Sequence, residues 1–368
     1  MTRTGEDGER LLIVGAGLIG TSIGLAATAA GYRVSIDDQH GERRATAVAV
    51  GAGALRGAGD DFDLALVAVP PRAVAAVVEK LLVSDTASAV THVTSVQYQV
   101  QVEVEARCAG DGRFVGSHPI AGRERSGPHH GDGDLFVQRP WVICPTAATR
   151  PDAIAAVERL AKGCGAVPTI MTAAAHDALL ARLSHAPQLV ASALAGSLGD
   201  LDRAEAALAG SGVRDTSRLA DSEPDLWGEI VAANPAEVSR ALRAVVEPLT
   251  ALADVLDNAD PDAARTAVQA LVERGRAGRR LLAGKHGQPA VRWATVSVVV
   301  PDEPGALARL LVDAAAVGVN VEDIRVDHSP GRPFGVVELD VDATRGEPLA
   351  AGLGTRGWSA SAALPPRD

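Results

Sequence analysis

The chain has 368 residues, too many for one ordinary hydrophobic core, so two or three domains are expected. It carries 35 basic against 46 acidic residues, a net charge of −11, with 3% aromatics and no basic cluster, which argues against a nucleic-acid partner. No apolar run approaches the roughly 18 residues of a membrane span, and the polar first ten residues lack the apolar core of a secretion signal. A cytoplasmic protein with no membrane partner is the expectation. Cys108, Cys144 and Cys164 are odd in number and lack metal-ligand spacing, so buried thiols in a reducing compartment, and no metal site, are expected.

In chain order, residues 11–14 (LLIV) form a short apolar run of the buried parallel-strand type. It leads into Gly15-Ala16-Gly17-Leu18-Ile19-Gly20 and an Ala-rich helical stretch that Gly31 stops. Glycines there permit a tight turn and close backbone approach to a pyrophosphate, and the helix N-terminus offers free N–H groups. A second strand, residues 33–36, ends at Asp37, at about the distance required of an acid that binds ribose hydroxyls. A carboxylate at that point repels a 2′-phosphate, so NAD is expected rather than NADP, with Arg43 and Arg44 read as a solvated helix face. Residues 63–69 are the next strand, ended by Val69, Pro70 and Pro71 beside the cofactor. Residues 89–94 are another, with Ser95 at its tip.

Residues 116–122 read GSHPIAG after a strand-like Phe114-Val115. The residue before a proline is disfavoured in the helical region, so His118 is expected on a strand-to-loop edge with a fixed backbone. Ligands of open α/β sheets bind outside the carboxyl ends of the strands, which is where a nicotinamide enzyme needs a histidine. His129 and His130 lie in a Gly/Asp-rich loop and are expected to be solvent-exposed. Residues 141–145 and 167–170 close the predicted sheet around a helical segment at 152–163.

Beyond residue 172 strand runs vanish, and Ala, Leu, Arg and Glu recur at three- and four-residue spacing to about 282. Residues 284–289 read as a linker. A βαββ pattern follows, with strands at 293–300, 319–326 and 334–341, a helix at 306–317 and a second helix at 348–353. The fold expected is α/β: a Rossmann doubly wound parallel sheet at 1–171, an all-helical domain at 172–288, and a small α+β domain at 289–368.

Several loops together resemble the prephenate dehydrogenases, with arogenate dehydrogenases in the same family. They are the GAGLIG turn, Ser95-Val96, GSHPIAG continuing to Ser126-Gly127, residues 183–188 (LSHAPQ) and residues 214–220 (RDTSRLA). The last 75 residues resemble an ACT domain, a ferredoxin-like amino-acid-sensing module, through residues 302–307 (DEPGAL) and 318–324 (GVNVEDI).

The resemblance implies NAD-dependent oxidative decarboxylation of prephenate to 4-hydroxyphenylpyruvate, in tyrosine biosynthesis. It implies His118 as acceptor of the hydroxyl proton and Ser95 as the group aligning that histidine with the substrate. Arg214 is implied as anchor of a substrate carboxylate, and His185 and Ser126 as substrate-side residues. Gly15, Gly17, Leu18, Ile19, Gly20, Asp37, Val69 and Pro70 are read as the coenzyme site. His176-Asp177 is read as a structural pair on a helix surface. In the tail, Gly305 and Asn320 resemble residues that cradle an amino acid, with tyrosine as the natural effector. A homodimer built largely on the helical domain is also implied.

Two departures stand out. Related sequences carry an acid and a lysine around the serine, where this chain has His92 and Gln97. Ile120 and Ala186 also replace bulkier neighbours. Arogenate and 4-amino-4-deoxyprephenate are alternative substrates, and a non-catalytic nucleotide- and amino-acid-binding regulator is an alternative of another class.

Overall fold

The computed structural model describes residues 8–122, 127–258, 260–282, 293–328 and 333–363. They divide into two compact units, Met1–Asp200 with Thr216–Glu247, and Leu201–Asp215 with Pro248–Asp368. The helix Pro235–Asp257 carries the boundary at Pro248, a residue that cannot donate a helical hydrogen bond.

The first unit holds an eight-stranded sheet. Its strands are β1 (Arg10–Val14), β2 (Arg33–Asp37), β3 (Ala54–Leu55), β4 (Phe62–Val67), β5 (Ala87–His92), β6 (Phe114–Pro119), β7 (Pro140–Cys144) and β8 (Val167–Ile170). Their spatial order is β3-β2-β1-β4-β5-β6-β7-β8. The chain reverses its direction of travel across the sheet beside β1, and that switch point is where α/β sheets bind ligands. Both faces are covered, which is why the strands read as continuous apolar runs. Leu11 and Ile13 of β1 pack with Ile23, Ile36, Leu64 and Leu160 on one face. Leu12 points to the other face with Val67, Val78, Val90, Val100 and Phe114.

The sheet is mixed, which corrects the all-parallel expectation. β1 to β6 run parallel, but β7 pairs antiparallel with β6, through Gly116↔Cys144 and His118↔Val142, and β8 is parallel to β7. A parallel neighbour needs a crossover, usually a helix. The described residues between β6 and β7 contain only the 3-10 turn Pro128–His130, so the chain returns in the opposite direction.

Beyond β8, Thr172 caps the helix Ala173–Leu180 by accepting the N–H of Ala175. The helical path continues through a π-helical turn, Ala181–His185, into the helix Ala186–Gly196. Pro187 has no N–H to give to the preceding turn, and Ala186 N–H reaches back five residues to Ala181 O.

The second unit contains an antiparallel sheet of β9 (Trp293–Pro301), β10 (Asp323–His328), β11 (Phe334–Asp342) and β12 (Ser359–Ala363), in the order β10-β11-β9-β12. Helices Ala306–Ala316 and Gly346–Gly354 pack on one face through Leu310, Leu349 and Leu353 against Val296, Val298, Leu339 and Val341. The element order is therefore βαββαβ. β10 begins at Asp323 rather than at 319, because residues 319–322 form a loop in which Glu322 N–H bonds Asp340 O and Asn320 bonds the Glu322 carboxylate. β12 escaped the sequence reading because its residues, SASAA, have little intrinsic strand preference; pairing with β9 makes it a strand. The predicted linker at 284–289, and with it the 288/289 boundary, lies outside the described residues.

Candidate active site

The carboxyl ends of β1, β2, β4, β5 and β6 carry the predicted site residues of the first unit. After β1 the backbone turns at Gly15, whose φ of +110° and close approach to Ala68 O (2.3 Å from where a Cβ would lie) admit only glycine. Val69 flanks the same point. Gly20 is as tightly placed, with Gly15 O 1.9 Å from its would-be Cβ. Gly17 differs, since a Cβ there would project into open space. It precedes the helix Leu18–Ala29, which has no side-chain cap, so the first-turn N–H groups around Leu18 and Ile19 remain for an anion. Pro70 leads into the helix Pro71–Val83. This cradle fits a dinucleotide pyrophosphate.

Asp37 ends β2, and its backbone carbonyl accepts the Gly15 N–H at 2.8 Å, which sets it beside the turn. Its carboxylate lies 3.3 Å from Arg56 and 3.8 Å from Arg44. Arg44, read above as part of a solvated face, also donates to Asp38 O at 3.0 Å. Asp38 is buried and accepts the N–H groups of Ala16 and His40, both at 2.7 Å. Arg56 was missed because it stands 19 residues from Asp37 and no local pattern connects them.

His118 is the next-to-last residue of β6, at the strand-to-loop edge expected, and is buried. Its Nδ1 lies 2.9 Å from Nε2 of His176, and Nδ1 of His176 lies 2.8 Å from Oδ1 of Asp177. This corrects the surface reading of His176-Asp177, because His176 is fully buried and Asp177 nearly so. A three-residue helical spacing could not tell whether that face met solvent or β6. The Asp177 carboxylate also accepts the N–H groups of Gln97 and Tyr98, both at 2.9 Å, where the helix Tyr98–Arg107 begins. Asn234 holds the Asp177 carbonyl at 2.9 Å.

Ser95 is half-buried in the loop after β5. That loop is fastened to β6 by Gln97, whose side-chain amide donates to Thr94 O at 2.8 Å and to Ser117 O, next to His118, at 3.0 Å. His92, at the end of β5, stacks on Phe114 at 5.9 Å between ring centres. Among the described residues, His92 Nε2 and Gln97 Oε1 have no hydrogen-bond partner.

His185 is fully buried at the end of the π turn, edge-on to Trp227, and neither of its ring nitrogens has a partner among the described residues. Ser126 lies outside the described residues. Arg214 is exposed on the helix Ser211–Ser217, in the part assigned to the second unit. Gly305, at φ +87°, caps the helix Ala306–Ala316, and Asn320 is exposed in the loop before β10. His129 is exposed but His130 is half-buried, and Cys108 is half-buried where a buried thiol was expected. Burial pushes the Cys144 and Cys164 thiols up to about 12.

Burial disfavours the charged form of three of the histidines here, His92, His118 and His185. Burial, then the proximity of His176, His92 and His185, holds His118 well below the ordinary imidazole value. Burial lowers His92 to about 3 and His185 to about 4. A neutral imidazole retains a lone pair, so it can take a proton from a hydroxyl.

A nucleotide turn that shares its sheet edge with a neutral buried imidazole is the arrangement of a nicotinamide-dependent dehydrogenase, which needs a hydride acceptor and a proton acceptor over one substrate. Comparison with known proteins narrows that class. Residues 23–170 match the model of the prephenate dehydrogenase nucleotide-binding domain, and residues 172–270 that of the prephenate dehydrogenase dimerization domain. The chain is 34% identical to the probable prephenate dehydrogenase NovF of Streptomyces niveus, over 95% of this chain and 99% of that protein. The structure of Aquifex aeolicus prephenate dehydrogenase with hydroxyphenyl propionate and NAD+ is 25% identical, with a TM-score of 0.64 over 75% of this chain and 100% of that one. Synechocystis arogenate dehydrogenase is 26% identical, with a TM-score of 0.60 over 73% of this chain and 99% of that one. The chain belongs to the prephenate dehydrogenase family of NAD-dependent oxidoreductases.

The buried histidines link stability to pH. His92 and His185 bind fewer protons when folded than when unfolded, where the value is near 6.5. Their contribution is complete above about pH 6.5 and declines as the pH falls toward 4, by at most about 1.4 kcal/mol per pH unit for each group. Urea midpoints should therefore drop between pH 7 and pH 5, before most carboxylates titrate, and His92→Asn should flatten that slope. Equal midpoints at the two pH values would contradict neutral burial.

Proposed function

We propose that this chain oxidises prephenate with NAD+, releasing CO2 and 4-hydroxyphenylpyruvate. The observation that carries this reading is His118, a buried neutral imidazole at the carboxyl edge of a nucleotide-binding sheet, in a chain of this family. Bound NAD+ supplies the hydride acceptor. Gly15, Gly17, Gly20 and the first turn at Leu18 and Ile19 hold its pyrophosphate, with Val69 and Pro70 beside them, and Asp37 holds the adenosine ribose.

His118 takes the proton of the 4-hydroxyl as the hydrogen on the same carbon leaves as hydride. The C–CO2− bond of the ring carboxylate then breaks, its electron pair completes the aromatic ring, and the resulting phenolate oxygen takes the proton back from His118. Aromatisation makes this downhill, so the protein's main task is to hold a dianion in register and accept one proton. Ser95 aligns the hydroxyl with His118, and Gln97 holds the Ser95 loop against β6. Arg214 anchors a substrate carboxylate through a bidentate guanidinium pair. His185, with two buried unpartnered ring nitrogens, supplies a polar contact to the substrate, and Ser126 adds another.

We read the chain as three functional parts, at 1–171, 172–288 and 289–368, acting as a cytoplasmic homodimer in tyrosine biosynthesis. The βαββαβ order of the last part supports an ACT-like module, with Gly305 and Asn320 at a tyrosine site.

The test is the initial rate of NADH appearance with prephenate, then arogenate, each repeated with added tyrosine. Turnover of prephenate is expected; turnover of arogenate alone would replace the substrate, and silence with both would favour an aminated analogue or a binding-only protein. His118→Asn should bind NAD+ normally and lose about 10²–10⁴ in kcat. Arg214→Ala should raise the KM for prephenate about 10- to 100-fold, the value of a charge-assisted pair.

Coenzyme choice has its own test. With the Asp37 carboxylate removed, Arg44 and Arg56 remain where a 2′-phosphate would arrive. Asp37→Ser should weaken NAD+ binding and strengthen NADP+ binding, each read by quenching of Trp fluorescence. Unchanged affinity for both coenzymes would remove Asp37 from the ribose site.

A further inference from the structure

We propose that Asp177, acting through His176, fixes the tautomer and direction of the His118 ring, so that Nε2 of His118 is the atom that accepts the substrate proton. This rests on the reading of His118 as proton acceptor, and it assigns a task to two residues outside the site expected from the sequence.

The direction of every hydrogen bond follows from the anchored end. Two donors to the Asp177 carboxylate are backbone N–H groups, of Gln97 and Tyr98, and a backbone N–H can only donate. The carboxylate therefore serves as an acceptor, at the start of a helix, where negative charge is favoured. Its Oδ1 also meets Nδ1 of His176 at 2.8 Å, so that nitrogen carries the hydrogen. With a single ring N–H placed there, Nε2 of His176 is left as an acceptor. Nδ1 of His118, 2.9 Å away, must then be the donor. The one remaining nitrogen of His118, Nε2, is left bare. Had the series begun with a donor at residue 177, each ring would reverse and Nε2 of His118 would carry a hydrogen.

The geometry leaves the rings little freedom. His118 sits in β6 with its backbone paired to Val142, and its ring is edge-on to His176 at 5.1 Å. His176 is wholly buried on a helix whose next residue is tied to the start of another. When His118 takes the hydroxyl proton, its positive charge forms one imidazole away from the Asp177 carboxylate, which stabilises it. The logic is that of a nucleophile–base–acid triad, in which an acid orients the base and sets its tautomer. Here a second imidazole stands between acid and base. Asp177 and His176 are positioning residues; only His118 meets the substrate.

The decisive measurement is nitrogen NMR of the full-length protein with ¹⁵N-labelled histidine at pH 7, with the His118 signals assigned by their absence from His118→Asn. The wild type should show a neutral His118 with hydrogen on Nδ1 and a bare Nε2. Asp177→Leu removes the acceptor of the His176 Nδ1 hydrogen and should let the His118 hydrogen move to Nε2, with kcat lowered about 10²–10⁴-fold and the affinity for NAD+ unchanged.

Should Asp177→Leu fail to fold, two variants at 176 carry the test. His176→Gln retains an acceptor for the His118 hydrogen and should keep kcat within about tenfold of the wild type, whereas His176→Leu should lose most of it. A wild-type His118 with hydrogen on Nε2 would overturn the proposal, as would equal losses in the two variants at position 176. The NMR result stands apart from substrate identity, so a protein inactive on prephenate but with a bare Nε2 would fail the functional reading alone.

Discussion

The carboxylate of Asp177 is the interaction on which the site depends. It accepts the N–H groups of Gln97 and Tyr98 from the loop after β5, and the ring of His176 from its own helix. One charged group thus ties the sheet's carboxyl edge to the helical run that follows β8. Removing it would leave buried donors unsatisfied, at about 1–3 kcal/mol each. Asn234 secures the same residue from its backbone side. His118, the Ser95 loop and the approach of His185 are all arranged around this joint.

His92 and Gln97, the two positions where the resemblance leads to an acid and a lysine, are both buried, and burial holds the His92 imidazole down to about 3. The Gln97 amide bridges Thr94 O and Ser117 O and so holds the loop after β5 to β6. Neither residue adds a charge beside the Asp177 carboxylate, where the local dielectric is low.

Much of this was legible in the sequence, and the omissions have physical reasons. The GAGLIG turn, Asp37 and His118 are local signals, because glycine geometry and a proline restraint act over a few residues. The reversal of β7 goes with a β6–β7 connection whose described residues contain no crossover helix, which strand propensity alone does not report. His176 looked like a surface residue because helical spacing gives a face but not the element that covers it. Arg56 reaches Asp37 from 19 residues away, and Gln97 meets Asp177 across 80. Ser126 was named by motif and falls outside the described residues.

The π-helical turn at Ala181–His185 acts as a phase shifter. An α-helix advances about 100° per residue, so one extra residue rotates everything after it by that angle relative to everything before. Before the turn, Ala173, His176 and Leu180 are buried on one face; after it, Ala186 packs with Val238 and Ala241. The catalytic edge and the helical packing surface therefore need not share a common phase. A single inserted residue separates the two surfaces, and His185, buried against Trp227, stands at the seam.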